Sequence, residues 1–369
     1  MPSADLSPTE PTRRRRARSP LPWTIAIAAV IGLFGAAGVL RAADARIADI
    51  ERVAGLDGVL AEIPDFDDPT IEYPAENYLL VGSDTREGAD ESSPDFGGIG
   101  SANEVTGRRS DTIMILRQER NGGASLMSLP RDLWVEIAGT GESQRINSAY
   151  SEGADRLAAT VSQSLGIPVH HYVEVDFFGF KDIIDGLGGV EVCVAYGARD
   201  FNTGLQIDPG CTVLDGIQAL AFARSRHYEQ WDGTDWVEDE RADLGRIERQ
   251  QLFMRAAVDG TLRQLQSSPF GSGDVIGSVV DAVRIDDRLD PIKAEEALRQ
   301  AAEEGLRTYS LPVVNDRVGD ASILRLGDGS DEVLAYFRGE GPAPADYETG
   351  VTASALDTDE PVEEPAVDG

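Results

Sequence analysis

The apolar positions of this chain follow two rhythms. Short apolar runs of strand length occur at Asn77–Gly82, Thr112–Leu116, Ser125–Leu129, Tyr172–Val175 and Val190–Val194, and runs of this kind predict buried strands. Between and after them, apolar residues return every three or four positions over Ala154–Leu165, Phe177–Leu187, Leu214–Phe222, Ile247–Leu265 and Pro291–Glu304, which predicts helices. Arg307–Val314 and Ser322–Leu326 read as late strands, with a closing helix near Asp331–Phe337. Strands interleaved with helices predict a layered α-β-α domain of the α/β class around a mixed central sheet. Gly186–Gly189 reads as a turn into the next strand and not as a phosphate loop, because no lysine follows it.

The N-terminal part follows another pattern. Trp23 to Leu40 is uncharged, and eighteen helical residues span about 27 Å, close to the thickness of a bilayer core. Arg13 to Arg16 and Arg18 precede this run, so the N-terminus is expected to stay in the cytoplasm while the rest is exported. Ala43-Asp44-Ala45 resembles a signal-peptidase site, but the apolar run exceeds the usual signal-peptide length and favours a retained anchor. Ile47, Ile50, Val53, Leu56, Val59, Leu60 and Ile63 recur at helical spacing and predict a short amphipathic stalk, followed by a proline- and acid-rich linker from Pro64 to Pro74. The organisation expected is a basic segment 1–22, an anchor 23–40, a stalk and linker 41–76, a folded domain 77–338 and a tail 339–369. That tail holds nine acidic residues and no basic one, a composition that predicts disorder.

Charge sharpens the picture. The chain carries 33 Lys and Arg against 65 Asp and Glu, a net charge of −32. Residues 1–41 contribute six Arg against Asp5 and Glu10, which is +4, leaving −36 for the remainder. Nucleic acid is excluded as a partner, since phosphate backbones demand a basic footprint. Against this acidity, arginines recur at the ends of apolar runs: Arg109-Ser110-Asp111, Pro130-Arg131-Asp132, Arg224-Ser225-Arg226, and Arg246 followed by Arg249-Gln250-Gln251. Guanidinium forks match phosphate oxygens two at a time. Asp84 and Asp111, at the ends of neighbouring predicted strands, suit a divalent cation that draws its other ligands from water and phosphate. The alternative is that Asp84 caps a turn and Asp111 pairs with an arginine. Arg246 and Gln250 share one helix face. Arg224 and Arg226 would point the same way if the chain is extended after a helix ending at Phe222.

Phe177, Phe178, Phe180, Ile183, Ile184 and Leu187 form a stripe that reads as core, with an apolar tunnel for a lipid tail as the sharper alternative. Cys193 and Cys211 both fall in the exported part, where they would form one disulfide or remain two buried thiols. Glu87–Thr106 and His227–Asp243 read as rim loops beside a cleft, the second holding seven carboxylates and two tryptophans.

From Asn77 to Phe337 the sequence resembles the LytR-CpsA-Psr family. The resemblance is carried by Leu79-Leu80-Val81-Gly82-Ser83-Asp84-Thr85-Arg86, Gly107-Arg108-Arg109-Ser110-Asp111-Thr112, Ser128-Leu129-Pro130-Arg131-Asp132 and Arg145-Ile146-Asn147-Ser148-Ala149-Tyr150. It continues in Val175-Asp176-Phe177-Phe178-Gly179-Phe180, Gly188-Gly189-Val190, the run from Leu214 to His227, and Gly245-Arg246-Ile247-Glu248-Arg249-Gln250-Gln251. It implies a membrane-anchored phosphotransferase of cell-wall assembly. Such a protein takes a glycopolymer from a polyprenyl-pyrophosphate carrier and joins it to peptidoglycan through a phosphodiester. Carried over by motif, Asp84 and Asp111 would bind Mg²⁺, and Arg109, Arg131, Arg224, Arg226, Arg246 and Gln250 would clamp the pyrophosphate. Arg145, which stands where the family often has lysine, would join the pyrophosphate-binding set, and Arg131, Arg224, Arg226 and Arg246 would act in catalysis. A hydrolase of polyprenyl pyrophosphate and a non-catalytic wall-polymer binding protein are the competing readings.

Overall fold

The computed structural model describes residues 50–65, 71, 74–84, 110–119, 123–239, 245–250, 252–253, 282–291 and 306–344. The chain enters the fold through β1 (Glu51–Val53) and continues as a meander of β2 (Ala75–Ser83), β3 (Ser110–Glu119) and β4 (Ala124–Leu129). A hairpin of β5 (Trp134–Glu136) and β6 (Ser143–Arg145) leads into α1 (Ile146–Glu152) and α2 (Ala154–Leu165). Next come β7 (His171–Asp176) and α3 (Phe177–Gly186), then four short strands: β8 (Val190–Val194), β9 (Ala198–Asp200), β10 (Leu205–Ile207) and β11 (Gly210–Leu214). After α4 (Gly216–Arg224) lie β12 (Glu229–Trp231), β13 (Trp236–Glu238), β14 (Val283–Asp286) and β15 (Leu306–Ser310). The hairpin of β16 (Val313–Val318) and β17 (Ala321–Leu326) precedes α5 (Ser330–Arg338).

The main sheet has seven strands in the order β1-β14-β7-β2-β3-β4-β15. It is mixed: β2 runs parallel to β7 but antiparallel to β3, and β4 is parallel to β15. The strand period of two sends alternate residues to opposite faces. Leu79, Val81, Ile113, Ile115 and Met127 pack against Leu157 and Val161 of α2 and Leu334 and Phe337 of α5. Their neighbours Tyr78, Met114, Leu116 and Leu126 pack on the other side against Ile183 and Ile184 of α3 and Phe222 of α4. Each such side chain, fully buried, contributes about 1.5–3 kcal/mol. A slip of one residue in any central strand would exchange the two faces, so register is strongly specified.

The structure departs from the pattern in several places. The predicted stalk is not a helix: Glu51–Val53 pairs in parallel with β14 at the sheet edge, and Ile50, Leu56 and Leu60 are core residues. Arg52 fastens this edge by donating to the carbonyls of Asp286 and Leu289, so tertiary pairing overrides local periodicity. Arg307–Val314 is two strands, because Pro312 lacks an amide and breaks the ladder. The helix expected from Leu214 begins at Gly216, where Asp215 supplies a capping box with Gln218. It continues to Arg224, two residues beyond the predicted end. The acid-rich stretch after His227 contains the β12–β13 hairpin, which joins β9 and β10 in a four-stranded sheet. Cys193 and Cys211 are bridged, as direct partners in the antiparallel β8–β11 ribbon. No helix among the described residues is long and apolar enough to cross a membrane, and the expected anchor 23–40, the loop 87–106, most of the helix 247–265, the helix after Pro291 and the tail beyond 344 lie outside the described residues.

Candidate functional site

One face of the sheet opens into a cavity of about 150 Å³. Leu80, Met114, Val173 and Val175 form its floor, and Phe177, Phe180, Ile183 and Ile184 of α3, with Leu187 just past its end, form a wall. The stripe predicted as core is core, and all of it but Phe178 also lines the cavity. Its lining also includes the polar groups Arg224, Arg246, Gln250 and Thr112. Guanidinium groups donate hydrogen bonds and never accept them. An apolar lining that includes two of them suits a ligand with a greasy tail and an oxygen-rich anionic head.

Each polar group is held by its surroundings. Arg224 ends α4 with its guanidinium 4.4 Å above the Phe177 ring, a cation–π contact that fixes the plane of the fork. Ser225 leaves the helix in an extended conformation (ψ 127°). Arg224 and Arg226 thus flank a helix end and do not share one extended segment as expected. Asp200, 1 % exposed, holds the turn: its Oδ2 accepts from Ser225 Oγ and from the amides of Arg226 and His227. Burial pushes this carboxyl up, but those donors together with the Asn202 amide outweigh it and keep it below the ordinary carboxylate range. Residues 245–250 are helical, and Arg246 lies on their buried side, 2 % exposed. Gln250, one turn on, donates to Thr112 Oγ1 at 3.1 Å and to the Ala223 carbonyl at 3.0 Å, tying this helix to β3 and α4.

The other predicted residues group differently. The C-terminal ends of β2, β4 and β7 and the start of β3 share one edge of the sheet, which gathers Asp84, Asp111, Arg131 and Asp176. Arg131 lies 3.6 Å from Asp132, and Arg145 pairs with that same carboxylate at 3.1 Å while donating to the Ser322 carbonyl. Arg131, Arg145 and Arg226 do not line the cavity, and Arg109 lies outside the described residues. The β2–β3 ladder pairs Gly82 with Thr112 and Ser83 with Ser110, leaving Asp111 as the extra residue of a bulge. Asp84 follows immediately beyond that pair, so two carboxylate residues end adjacent strands. Such an oxygen-only set fits Mg²⁺, which takes one or two carboxylates and completes its shell with water and phosphate. Among the described residues there is no group of three or more His, Cys, Asp or Glu placed to hold a metal.

Two residues that shape the site, Asp176 and Asp200, were given no role by sequence, and Arg249, grouped there with Arg246, takes a different place. Asp176 closes β7, caps α3 by accepting from the Gly179 amide at 2.7 Å, and lines the cavity. Burial raises its carboxyl above the ordinary range, partly offset by that amide. Asp200 carries no signal in its own neighbourhood. Arg249 turns away from the cavity: it pairs with Asp239 at 2.9 Å, donates to the Ser225 carbonyl and stacks 4.3 Å over Tyr228.

The domain is thus a layered, mixed α/β fold that carries an apolar cavity lined in part by guanidinium groups. The LytR_cpsA_psr family model matches residues 67–332, and this chain belongs to that family. The probable cell wall biosynthesis protein LcpB of Corynebacterium glutamicum is 31 % identical over 270 residues, covering 71 % of this chain and 61 % of that protein. The polyisoprenyl-teichoic acid–peptidoglycan teichoic acid transferase TagU of Bacillus mycoides is 36 % identical over 200 residues, 53 % of this chain and 56 % of its own. The chain thus spans about six-tenths of the length of these curated relatives. Among solved structures, the LytR-Csp2A-Psr enzyme from Actinomyces oris superposes with a TM-score of 0.59 at 25 % identity, covering 78 % of this chain and 96 % of the other. TagT of B. subtilis shares the fold at a TM-score of 0.52 and 20 % identity, covering 79 % and 98 %.

Proposed function

We propose that this protein is an extracytoplasmic phosphotransferase, held in the cell membrane by a single N-terminal anchor. It moves a glycopolymer from a polyprenyl-pyrophosphate carrier onto peptidoglycan. The observation that carries this reading is the apolar cavity whose lining includes Arg224, Arg246 and Gln250. The relatives named for cell-wall synthesis and teichoic acid transfer support it.

In this reading the prenyl tail enters between the sheet floor and α3, and the pyrophosphate lies at the guanidinium end. A peptidoglycan hydroxyl attacks the phosphorus bonded to the glycan. The new phosphodiester bond forms as the bond to the bridging oxygen breaks, and polyprenyl phosphate departs. Charge grows on the departing phosphate, and Arg224 and Arg246, which line the cavity, would stabilise it with little reorganisation at the moment of reaction. Asp84 and Asp111 would hold Mg²⁺, which would neutralise phosphate charge when bound. The acceptor proton has no assigned base.

The test is turnover by the purified protein of a synthetic polyprenyl-pyrophosphate glycan with Mg²⁺ and peptidoglycan oligomers. A phosphodiester-linked product, lost about 10²–10³-fold in Arg246→Ala and Arg224→Ala, supports the transferase. Arg131→Ala at the sheet edge and Arg226→Ala in the turn after α4 extend the test to the remaining arginines. Lipid release without a joined product would overturn it in favour of a hydrolase, and tight lipid binding without turnover in favour of a binding protein.

A further inference from the structure

The acid-rich hairpin beside the site has a sided construction that pocket chemistry leaves unexplained. The sheet β10-β9-β12-β13 turns Ala198, Leu205 and Ile207 into the core. Cross-strand pairing places Trp231 opposite Trp236 and Glu229 opposite both Glu238 and Arg199, so these five residues share the opposite, solvent-facing side. Arg199 lies between two rings, 4.1 Å from Trp236 and 4.7 Å from Phe201, and is paired with Glu229. The two indoles meet edge to face at 5.7 Å. Phe201 is 79 % exposed and Trp231 38 % exposed.

The strip is rigid. Asp232 closes the hairpin turn by accepting from the amides of Thr234 and Asp235, and the Trp231 amide donates to the Gly197 carbonyl. Large rings held this firmly in water lose little conformational entropy on binding.

We infer that this strip is a binding surface for the acceptor glycan strand, a chain of neutral N-acetylated pyranoses. Two features choose that occupant. The axial C–H face of a pyranose is apolar and lies flat on an indole, while its edge hydroxyls donate to carboxylates such as Glu229, Glu238 and Asp235. The stretch His227–Asp243 holds seven carboxylates, a field that repels phosphate-rich polymers and anionic lipid surfaces. The strip is also continuous with the cleft: β12 begins three residues after Arg226, and Asp239, just past β13, holds Arg249 in the helix that carries Arg246 and Gln250. A sugar on the strip therefore sits beside the phosphate end of the cavity. This inference rests on the transferase reading above.

The test uses the full-length protein in detergent with chitohexaose as probe, followed by tryptophan fluorescence, and the acceptor KM at saturating lipid donor. Trp231→Ala and Phe201→Ala remove exposed rings and should leave the fold intact by circular dichroism. About ten-fold weaker chitohexaose binding and a similar rise in acceptor KM are expected in both variants, with the Kd for the lipid donor unchanged. Unchanged binding and KM in both variants would overturn the inference. So would preference of the strip for poly(glycerol phosphate) or anionic vesicles. If the wild-type protein transfers no glycan yet binds chitohexaose through Trp231, the transferase reading falls and the glycan surface stands.

Discussion

Asp200 shows how a single buried carboxylate sets the position of groups it does not touch through their side chains. It accepts three donors from the turn Ser225–His227 and one from Asn202. Asp200→Ala would leave several of these donors unsatisfied, and about 2–4 kcal/mol of stability should be lost. Donor turnover should fall further than donor binding, because Arg226 loses its fixed place; calorimetric unfolding and kcat measured on one preparation check both. His170 gives a pH signature. It is buried, its Nδ1 accepts from the Asn77 amide at 2.8 Å, and burial followed by the charges of His171, Arg288 and Arg117 lowers it to about 4. The unfolded chain takes up this proton near pH 6.5 and the folded one does not. Above that pH the group has no effect, and below it stability declines until the folded imidazole also titrates. Between pH 7.5 and 5 the loss is about 2 kcal/mol. Urea unfolding at the two pH values measures it, and His170→Asn, which keeps an acceptor, should remove that part of the slope.

At the scale of elements, what the sequence disclosed follows from how local each signal is. β2, β4, α2 and α3 were legible because their apolar periodicity matches the face they bury. β14 was not, since Val283–Asp286 is a short alternating run whose place between β1 and β7 depends on partners over a hundred residues away. The same holds for β1, where helical spacing in Ile50, Leu56 and Leu60 served a strand and a turn. Arg224, Arg246 and Gln250, which line the cavity, were candidates by residue type and spacing, while Asp200 and Asp176 act through contacts that only the fold creates. The β8–β11 ribbon is cross-linked over a sequence separation of 18 residues. Replacing Cys193 and Cys211 by Ala should lower stability by about 3 kcal/mol, read as a shifted denaturant midpoint, and dithiothreitol should reproduce the shift in the native protein.

For the molecule as a whole, the sheet divides labour between its faces. One is sealed by α1, α2 and α5, and the other holds the cavity between α3 and α4. Leu220 lies on the cavity wall, so Leu220→Trp should fill space meant for a prenyl tail. Affinity for a long-chain donor should then fall about ten-fold or more while inorganic pyrophosphate binds as before; a titration of both ligands separates tail from head. The pairing of β1 with β14 has a geometric consequence. With the stalk absorbed into the sheet, only residues 41–50 separate the end of the apolar N-terminal run from the folded domain. Ten residues reach at most about 35 Å even when fully drawn out. Under the proposed topology the domain is on a short leash that keeps it within that distance of the membrane surface, where a carrier lipid resides.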